Sequence, residues 1–349
     1  MRKFDYSFLK NYRVPADFLG LAARMEAIRV KQATLREKYP EIFAGLESMA
    51  RVQSVKHSNA IEGIVTSDHR IEDIVNEGSE PISHSEREIA GYRDALDFIH
   101  NNHGAMKVDE KTILELHGIM LSRTPESGGE YKKEDNLIAG IDSMGNRFVR
   151  FVPTPASETP ASMKQLVLAY EDARSDAGIN KMLLIPCFIL DFLSIHPFAD
   201  GNGRTSRLLS LLMMYKNGID VGKYISFEEK IDVSKKEYYH ALYESSQGWS
   251  ENKNDYVPFI KNFIGTLFLC YKDLDRRFAI LGDGKVTKGS RVEGAVVNSL
   301  LPISKREICR ILPDVSETTV EAHLSRLLKE GKIEKIGTYK NARYVSKAR

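Results

Sequence analysis

Apolar residues recur every three to four positions through most of the chain, which is the spacing of a buried helix face. Pro40 closes the first helical run, and Asp109 is placed to cap the third. The predicted helices are Ala16–Lys38, Ser85–Asn101, Asp109–Leu121, Ser162–Asp176, Lys181–Ile195, Thr205–Lys216, Ser234–Ser245 and Val257–Arg277. The body of the protein is therefore predicted to be mainly α-helical.

Between residues 126 and 155 the helical pattern gives way to two short runs of β-prone residues. Asn136–Gly140 and Phe148–Pro153 flank a Gly/Asn turn at Ser143–Asn146, and Ser127–Gly129 precedes them. This pattern indicates a β-hairpin. Because a lone hairpin is only marginally stable, we expect it to be a flap on the helical body.

The last part of the chain has a different pattern. Short helices are predicted at Ser304–Ile311 and at Ser316–Lys329, where Ser316 is the N-cap. Two strands follow, within Gly331–Gly337 and Ala342–Val345, while Gly282–Lys285 reads as a linker. The order helix, helix and hairpin resembles a winged helix-turn-helix.

Composition adds a charge asymmetry to this picture. The 349 residues carry a net charge of only +2, yet Lys285–Arg349 holds 14 Lys and Arg against 7 Asp and Glu. A basic C-terminal module on a mildly acidic body suggests contact with nucleic acid.

The most apolar stretches, Met182–Ile195 and Leu208–Tyr215, are too short or too interrupted to cross a bilayer. With three scattered cysteines and no signal peptide, a soluble cytoplasmic protein is expected.

The stretch from His196 to Arg207 carries the chemistry. Gly201-Asn202-Gly203 can bring successive amides toward one point, and a helix starting at about Arg204 would add free N–H groups and a positive dipole end. Arg204 and Arg207, three residues apart, can both reach a polyphosphate. We therefore expect an anion cradle.

Two further side chains in the same loop complete the requirements of a phosphoryl-type transfer. Asp200 lies at the rim of the cradle, where a carboxylate suits magnesium bound to phosphates. His196, with an ordinary pKa near ~6.5, suits proton abstraction from a hydroxyl. A base, a metal ligand, an anion hole and two cationic groups are the parts that such chemistry uses.

This loop resembles the Fic family signature H-x-F-x-(D/E)-G-N-G-R-x-x-R at every specified position. The resemblance implies a helical core that binds Mg²⁺ and ATP and transfers AMP to a Ser, Thr or Tyr hydroxyl of a protein. It makes His196 the base and Asp200 the magnesium ligand, and it buries Phe198 as an anchor. The implied ATP-binding residues are Gly201, Asn202, Gly203, Arg204, Thr205, Ser206 and Arg207.

At two positions this chain can be compared with the patterns of family branches. Doc-like relatives that phosphorylate their target carry Lys where Gly203 stands, so the chain resembles the AMP-transferring branch. The family's Gly-x-x-Arg before the flap is imperfect here, because Lys132 follows Gly129-Glu130-Tyr131 in place of Arg.

Ser58-Asn59-Ala60-Ile61-Glu62-Gly63 resembles the family's inhibitory motif (S/T)-x-x-x-E-(G/N). A Glu62 carboxylate on a helix over the ATP site can form a bidentate pair with Arg207, the cation expected to hold the γ-phosphate. The alternative is a helix-capping Ser58 with a solvated Glu62. We expect the inhibitory role.

Weaker patterns concern the surroundings of this loop. The flap resembles the one that docks target segments by strand addition, with a purely structural hairpin as the alternative. Tyr239 and Tyr243, spaced i, i+4, are candidate walls of an adenine pocket, although core packing is equally compatible. No role is assigned to His57, His117 or His323.

In the C-terminal module, basic side chains suggest contact with the DNA backbone, with protein docking as the alternative. These residues are Arg326 and Lys329 on the second helix and Lys332, Lys335, Lys340 and Arg343 on the wing.

The fold predicted from these patterns is a Fic-type helical bundle with a β-hairpin flap and a C-terminal winged helix-turn-helix. Its expected divisions are 1–105, which carries the inhibitory helix, 106–280 as the Fic core and 285–349 as the winged helix. The expected function is an autoinhibited protein adenylyltransferase that uses ATP and Mg²⁺. The alternatives are AMP removal at the same site and a DNA-binding regulator with an ATP-sensing body. A homodimer is left open.

Overall fold

The computed structural model describes residues 2–13, 15–126, 128–141, 147–279, 287–297, 299, 302–312, 314–338 and 342–347. Four sequence predictions fall on residues outside these ranges: Ser127, the turn Ser143–Asn146, the linker Gly282–Lys285 and Lys340.

Helices make up most of the described chain. They are α1 (Ala16–Lys38), α2 (Pro40–Ile61), α3 (Asp68–Glu72), α4 (His84–Asn102), α5 (Glu110–Leu121), α6 (Thr159–Ser175), α7 (Lys181–Ile195), α8 (Asn202–Lys216), α9 (Phe227–Val233), α10 (Lys235–Ser246), α11 (Val257–Ala279), α12 (Lys288–Val297), α13 (Lys305–Ile311) and α14 (Glu317–Lys329). The mainly helical class expected from the sequence is confirmed.

Within the described ranges, five short strands form two antiparallel sheets. They are β1 (Ile138–Ile141), β2 (Arg147–Phe151), β3 (Ile303–Ser304), β4 (Ile333–Ile336) and β5 (Arg343–Ser346). β1 and β2 pair as the predicted hairpin, with Ala139 opposite Val149. The second sheet has the order β3-β5-β4, so the last strand lies in its centre.

Several helix bounds match the sequence predictions, and several differ for a physical reason. α1 and α7 have the predicted bounds, and the Asp109 carboxylate caps α5 by accepting from the Thr112 amide at 2.9 Å. Pro40 does close α1, but it also begins α2, where its missing N–H costs nothing. α2, α3, α9 and α12 are not among the predicted helices, since α3 and α9 are short, α2 begins at the Pro40 that was interpreted as a helix end, and α12 follows on the linker.

The structure divides into two compact units, residues 1–19 with 48–270 and residues 20–47 with 271–349. In the first unit α7 is almost wholly buried, and it packs against α6 and α8, while α4 packs against α5 and α8. Residues 196–201 therefore connect the two central helices of this unit. The predicted divisions at 105/106 and 285 stay a prediction.

The second unit has a small core of its own, to which α12, α13 and α14 contribute Val292, Ile308 and Leu324. Ser304 and Glu307 form a capping box at the start of α13, and Ser316 caps α14 as predicted. The predicted order of two helices and a hairpin is confirmed at residues 305–346. The winged helix assignment itself stays a prediction.

No helix in the described ranges combines the length and the apolar character needed to cross a bilayer. The three cysteines are free thiols, with Cys187 and Cys270 buried and Cys309 partly exposed.

Candidate active site

The loop between α7 and α8 has left-handed backbone at both ends. His196 ends α7 with φ 52° and ψ 60°, and Gly201 precedes α8 with φ 76°. Left-handed backbone is easy for glycine but costs roughly 1–3 kcal/mol at other residues. The strain at His196 is therefore offset by contacts around the loop.

Phe198 anchors the loop in the interior, as the sequence resemblance implied. Its ring is fully buried and stacks on the His117 imidazole, with 3.7 Å between ring centroids and 3° between ring planes. His117 also hydrogen-bonds through Nε2 to the Asp200 carbonyl oxygen at 3.1 Å, and its Nδ1 accepts from the Gly129 amide at 3.0 Å. These two bonds fix a tautomer that is protonated on Nε2.

The α8 N-terminus lies two residues earlier than the sequence predicted, at Asn202. No side chain caps this end, so the first amides of α8 are directed out of the helix at the loop. The first intrahelical bond runs from the Thr205 amide to the Gly201 carbonyl at 2.8 Å. The expected anion cradle is thus built from backbone N–H groups and the helix dipole.

The Asn202 side chain does not line this cradle. Its Oδ1 accepts from the Phe198 amide at 2.9 Å, and its Nδ2 donates to the Phe198 carbonyl at 2.8 Å. The side chain is buried and closes the loop on itself. The amide side chain of Asn202 is thus engaged within the loop, and the assignment of Asn202 to ATP binding stays a prediction.

Thr205 and Ser206 are also buried. The Ser206 hydroxyl donates to the Gly203 carbonyl at 2.7 Å, which leaves it engaged within α8. The Thr205 hydroxyl is buried and makes no hydrogen bond within the described ranges. Both residues lie in the segment implied for ATP binding, and that role stays a prediction for each of them.

His196 is held through Nδ1, which lies 3.2 Å from the Leu193 carbonyl oxygen and therefore carries the proton. Nε2 then has its lone pair available as a proton acceptor. Burial lowers the pKa of His196 to about 4, although the contact with Leu193 works in the opposite direction. The ring is neutral near pH 7, as a general base requires.

Arg204 and Arg207 are both about 1% exposed, so two guanidinium groups are buried one turn apart on α8. Nη1 of Arg204 lies 2.9 Å from Glu88 Oε1 on α4, and its Nη2 lies 3.0 Å from Asp200 Oδ2. Nε of Arg204 is buried without a hydrogen-bond partner among the residues described. A polar atom in that state is open to a further acceptor.

Arg207 is held by the predicted inhibitory motif. Its Nη2 lies 2.9 Å from Glu62 Oε1 and 2.8 Å from the Ser58 carbonyl oxygen, and its Nε donates to Ser58 Oγ at 2.8 Å. The pair with Glu62 is single, not bidentate as expected: Nη2 is shared between Glu62 and the Ser58 carbonyl, and Nε is engaged by the Ser58 hydroxyl. Ser58 lies inside α2 and is not a cap.

Glu62 follows the last residue of α2, and its carboxylate reaches α8. A methyl group built on Gly203 would overlap Oε1 of Glu62, so only glycine allows this approach. The carboxylate therefore lies against the first turn of α8, where an anion is favoured by the helix dipole.

Tyr239 and Tyr243 lie on α10, and the guanidinium group of Arg150 in the flap lies over both rings. The Arg150 guanidinium carbon of β2 is 5.4 Å from the Tyr239 ring centroid and 5.5 Å from that of Tyr243. Arg150 also donates to the Tyr239 carbonyl oxygen. The structure thus joins the flap to both tyrosines through a cation–π contact that the sequence did not indicate.

The cations proposed for DNA contact are largely paired within the second unit. Arg326 lies 3.4 Å from Glu330, Lys332 lies 3.2 Å from Glu293 and 3.1 Å from Glu330, and Arg343 lies 3.5 Å from Glu307. Of the proposed residues that are described, Lys329 and Lys335 alone lack an ion pair with another described residue. This pairing gives no support to a DNA interface.

Residues that sequence reasoning missed lie around the loop. His117 and Glu88 come from helices distant in sequence, and nothing in their local pattern marked them. Lys132 and Asn136 bind the loop backbone, and the signal for Lys132 was its place in the Gly-x-x-Arg pattern. All four act as supports of residues 195–204.

The arrangement of this loop can be compared with known proteins. Residues 107–214 match the sequence profile of the Fic/DOC family. This segment is therefore similar to a Fic domain. It includes α5, the flap and the whole helix–loop–helix from α7 to Met214.

Proteins named protein adenylyltransferase Fic are similar to this chain. The one from Nematostella vectensis is 26% identical over 276 residues, which cover 71% of this chain and 58% of the relative. The one from Drosophila melanogaster is 27% identical over 256 residues, covering 68% and 43%. The chain thus spans about half the length of the curated relatives it matches.

A Fic family protein from Desulfovibrio desulfuricans has a similar fold. Its crystal structure superposes with a TM-score of 0.61 over 97% of this chain and 98% of that one, at 19% identity. The helical Fic fold is therefore shared over nearly the full length.

Proposed function

We propose that this protein is an adenylyltransferase that moves AMP from ATP to a Ser, Thr or Tyr hydroxyl of a target protein or of its own chain. The observation that carries the proposal is a neutral His196 beside an uncapped helix N-terminus with two buried arginines. The names of the similar Fic proteins support the same class of reaction.

The proposed step is a displacement at the α-phosphorus. Nε2 of His196 accepts the proton of the target hydroxyl, and the hydroxyl oxygen forms a bond to phosphorus. The bond from that phosphorus to the bridging oxygen breaks, and pyrophosphate leaves. The Nδ1 bond to Leu193 holds the ring in the tautomer that this step needs.

The phosphates of ATP would bind at the start of α8. Its free amides and dipole favour negative charge, and Arg204 and Arg207 add two cations on the same helix face. Positioned donors of this kind stabilise charge as it develops during transfer.

Asp200 would hold the magnesium ion. Its carboxylate is about 65% exposed, with one oxygen paired to Arg204. No cluster of three or more acidic, His or Cys side chains forms a metal site in the described ranges. One carboxylate fits magnesium, which keeps several waters and takes phosphate oxygens. When bound, the ion neutralises charge on the phosphates.

Glu62 would restrain the reaction. It takes Arg207, one of the two cations of the cradle, and its carboxylate lies against Gly203 at the start of α8. A carboxylate in this place competes with the terminal phosphates of ATP for the same donors. Restraint by Glu62 is therefore the resting state in this proposal.

Transfer of α-labelled phosphate from ATP to the chain itself tests the proposal. We expect Glu62→Gly to increase the label at least ~10-fold over wild type, and the double variant Glu62→Gly/His196→Ala to lose it by roughly 10²–10⁴-fold. Absence of label from both wild type and Glu62→Gly would refute the transferase activity. Loss of label on a chase without ATP would instead support AMP removal.

A further inference from the structure

Four successive backbone carbonyls at the end of α7 accept hydrogen bonds from one short segment before the flap. The Lys132 amide donates to the Pro197 oxygen at 2.9 Å, and Nζ of Lys132 donates to the Ile195 oxygen at 3.2 Å. Nδ2 of Asn136 donates to the oxygens of His196 and Phe198 at 3.3 and 3.1 Å.

The two side chains also bind each other. Nζ of Lys132 donates to Oδ1 of Asn136 at 2.7 Å, which turns the Asn136 amide so that Nδ2 faces the loop. We call Lys132 and Asn136 together the clamp. It is connected to α5 as well, because the Gly129 amide of the same segment donates to His117.

We propose that the clamp positions the catalytic base, by holding the backbone of residues 195–198 in the conformation that directs the His196 ring at the hydroxyl to be modified. This inference rests on the proposed function of His196. Neither clamp residue touches a reacting atom in this proposal, so both are positioning residues.

The strain at His196 gives the physical reason for the clamp. A non-glycine residue with φ 52° persists only where its surroundings fix it. The peptide groups on both sides of His196 are fixed by the clamp through the oxygens of Ile195 and His196. A cation at the C-terminus of α7 also stabilises carbonyls that have no partner within the helix.

The state of Lys132 supports a positioning role over a simple gain in stability. Its side chain is 6% exposed, and no carboxylate of the described residues lies within ion-pair distance of it. Burial lowers the pKa of Lys132 to about 8, with Asp135 acting in the opposite direction. A buried ammonium without a counter-ion is costly, so its use as a donor to the loop explains its presence.

The chain offers a matched set of variants. Lys132→Met removes the donor and keeps the length of the side chain, while Lys132→Arg keeps a cationic donor. Asn136→Leu removes both amide bonds at similar volume. Lys133→Met is the control, because this neighbouring lysine is exposed and pairs with Glu130 at the surface.

The experiment measures auto-modification by the full chain in the Glu62→Gly background. We expect Lys132→Met and Asn136→Leu to lower kcat about 10–100-fold with the KM for ATP changed less than about 2-fold. Lys132→Arg should retain kcat within about 3-fold, and Lys133→Met should match the parent. An unchanged kcat in Lys132→Met, or an equal loss in Lys133→Met, would overturn the proposal.

A second measurement does not depend on activity. Hydrogen exchange in the peptide covering residues 193–200 should be at least ~10-fold faster in Lys132→Met than in Lys133→Met, with the circular dichroism of the two alike. If Glu62→Gly transferred no label, the adenylyltransferase function would fail while this comparison still tested the clamp. Equal exchange in the two variants would refute the clamp itself.

Discussion

Arg207 of the first unit and Lys332 of the second unit are both cations that the sequence suggested for binding phosphate. Arg207 is about 1% exposed and lies on α8 beside a second buried arginine and a free helix N-terminus. Lys332 is about half exposed and forms surface ion pairs with two carboxylates, those of Glu293 and Glu330.

The two cations differ in how their surroundings maintain the positive charge. Burial opposes the charged form of Arg207, but Glu62 and the neighbouring tyrosines Tyr238, Tyr92 and Tyr239 together outweigh burial and raise the pKa, so the cation persists in a site from which water is largely excluded. The carboxylates of Glu330 and Glu293 raise the pKa of Lys332 on an exposed surface, where such pairs contribute little. Sequence patterns indicated both cations as phosphate ligands, and only the surroundings of each cation distinguish them.

Removing the buried cation should have the largest effect. In the Glu62→Gly background, Arg207→Ala is expected to lower kcat/KM for ATP about 10²–10³-fold, since one positioned donor to developing charge contributes that much. Steady-state labelling measures it. Lys332→Ala is the matched control and should leave kcat/KM within about 2-fold; similar losses in both variants would contradict the distinction drawn here.

The low pKa of His196 gives a pH dependence. The folded chain holds this pKa near 4 against 6.5 for an ordinary histidine, so the unfolded chain binds more protons between those values. Stability contributed by the neutral ring is therefore present above pH 6.5 and declines as pH falls toward 4. Proton NMR of the ring, assigned with His196→Ala, should show a midpoint near 4. A midpoint near 6.5 would argue against a buried base.

Gly203 and Glu62 should be energetically coupled. In wild type, Gly203→Ala places a methyl group against the Glu62 carboxylate, and we expect a loss of about 1–3 kcal/mol in the free energy of unfolding. In Glu62→Gly the overlap is gone, and alanine within α8 should be neutral or stabilising by about 0.5–1 kcal/mol. Urea unfolding of the four proteins measures the coupling; additive effects would mean that Glu62 does not contact Gly203 in solution.

The C-terminal unit should give the smallest effect. If all six proposed cations bound DNA, the logarithm of the binding constant would fall with the logarithm of salt at a slope near −5. Pairing removes Arg326, Lys332 and Arg343, so any binding by the full chain should have a slope no steeper than about −3. Titration of duplex DNA at several salt concentrations measures it. A slope near −5 would restore the proposed interface.

Much of this molecule followed from local patterns. The 3.6-residue repeats placed α1 and α7 but not the long α2, and Asp109 and Ser316 marked helix starts through capping chemistry that acts within four residues. The loop signature likewise placed His196, Asp200, Arg204 and Arg207 in a single short segment, because their spacing in the sequence alone brings them together.

Tertiary structure decided what those residues contact. Glu88 pairs with Arg204, and Ser58 shares the donors of Arg207 with Glu62. Lys132 and Asn136 hold residues 195–198. These contacts join segments that are far apart in sequence. A sequence pattern reports periodicity and local geometry. Which acceptor a buried donor binds is determined only when packing brings the two together and excludes water.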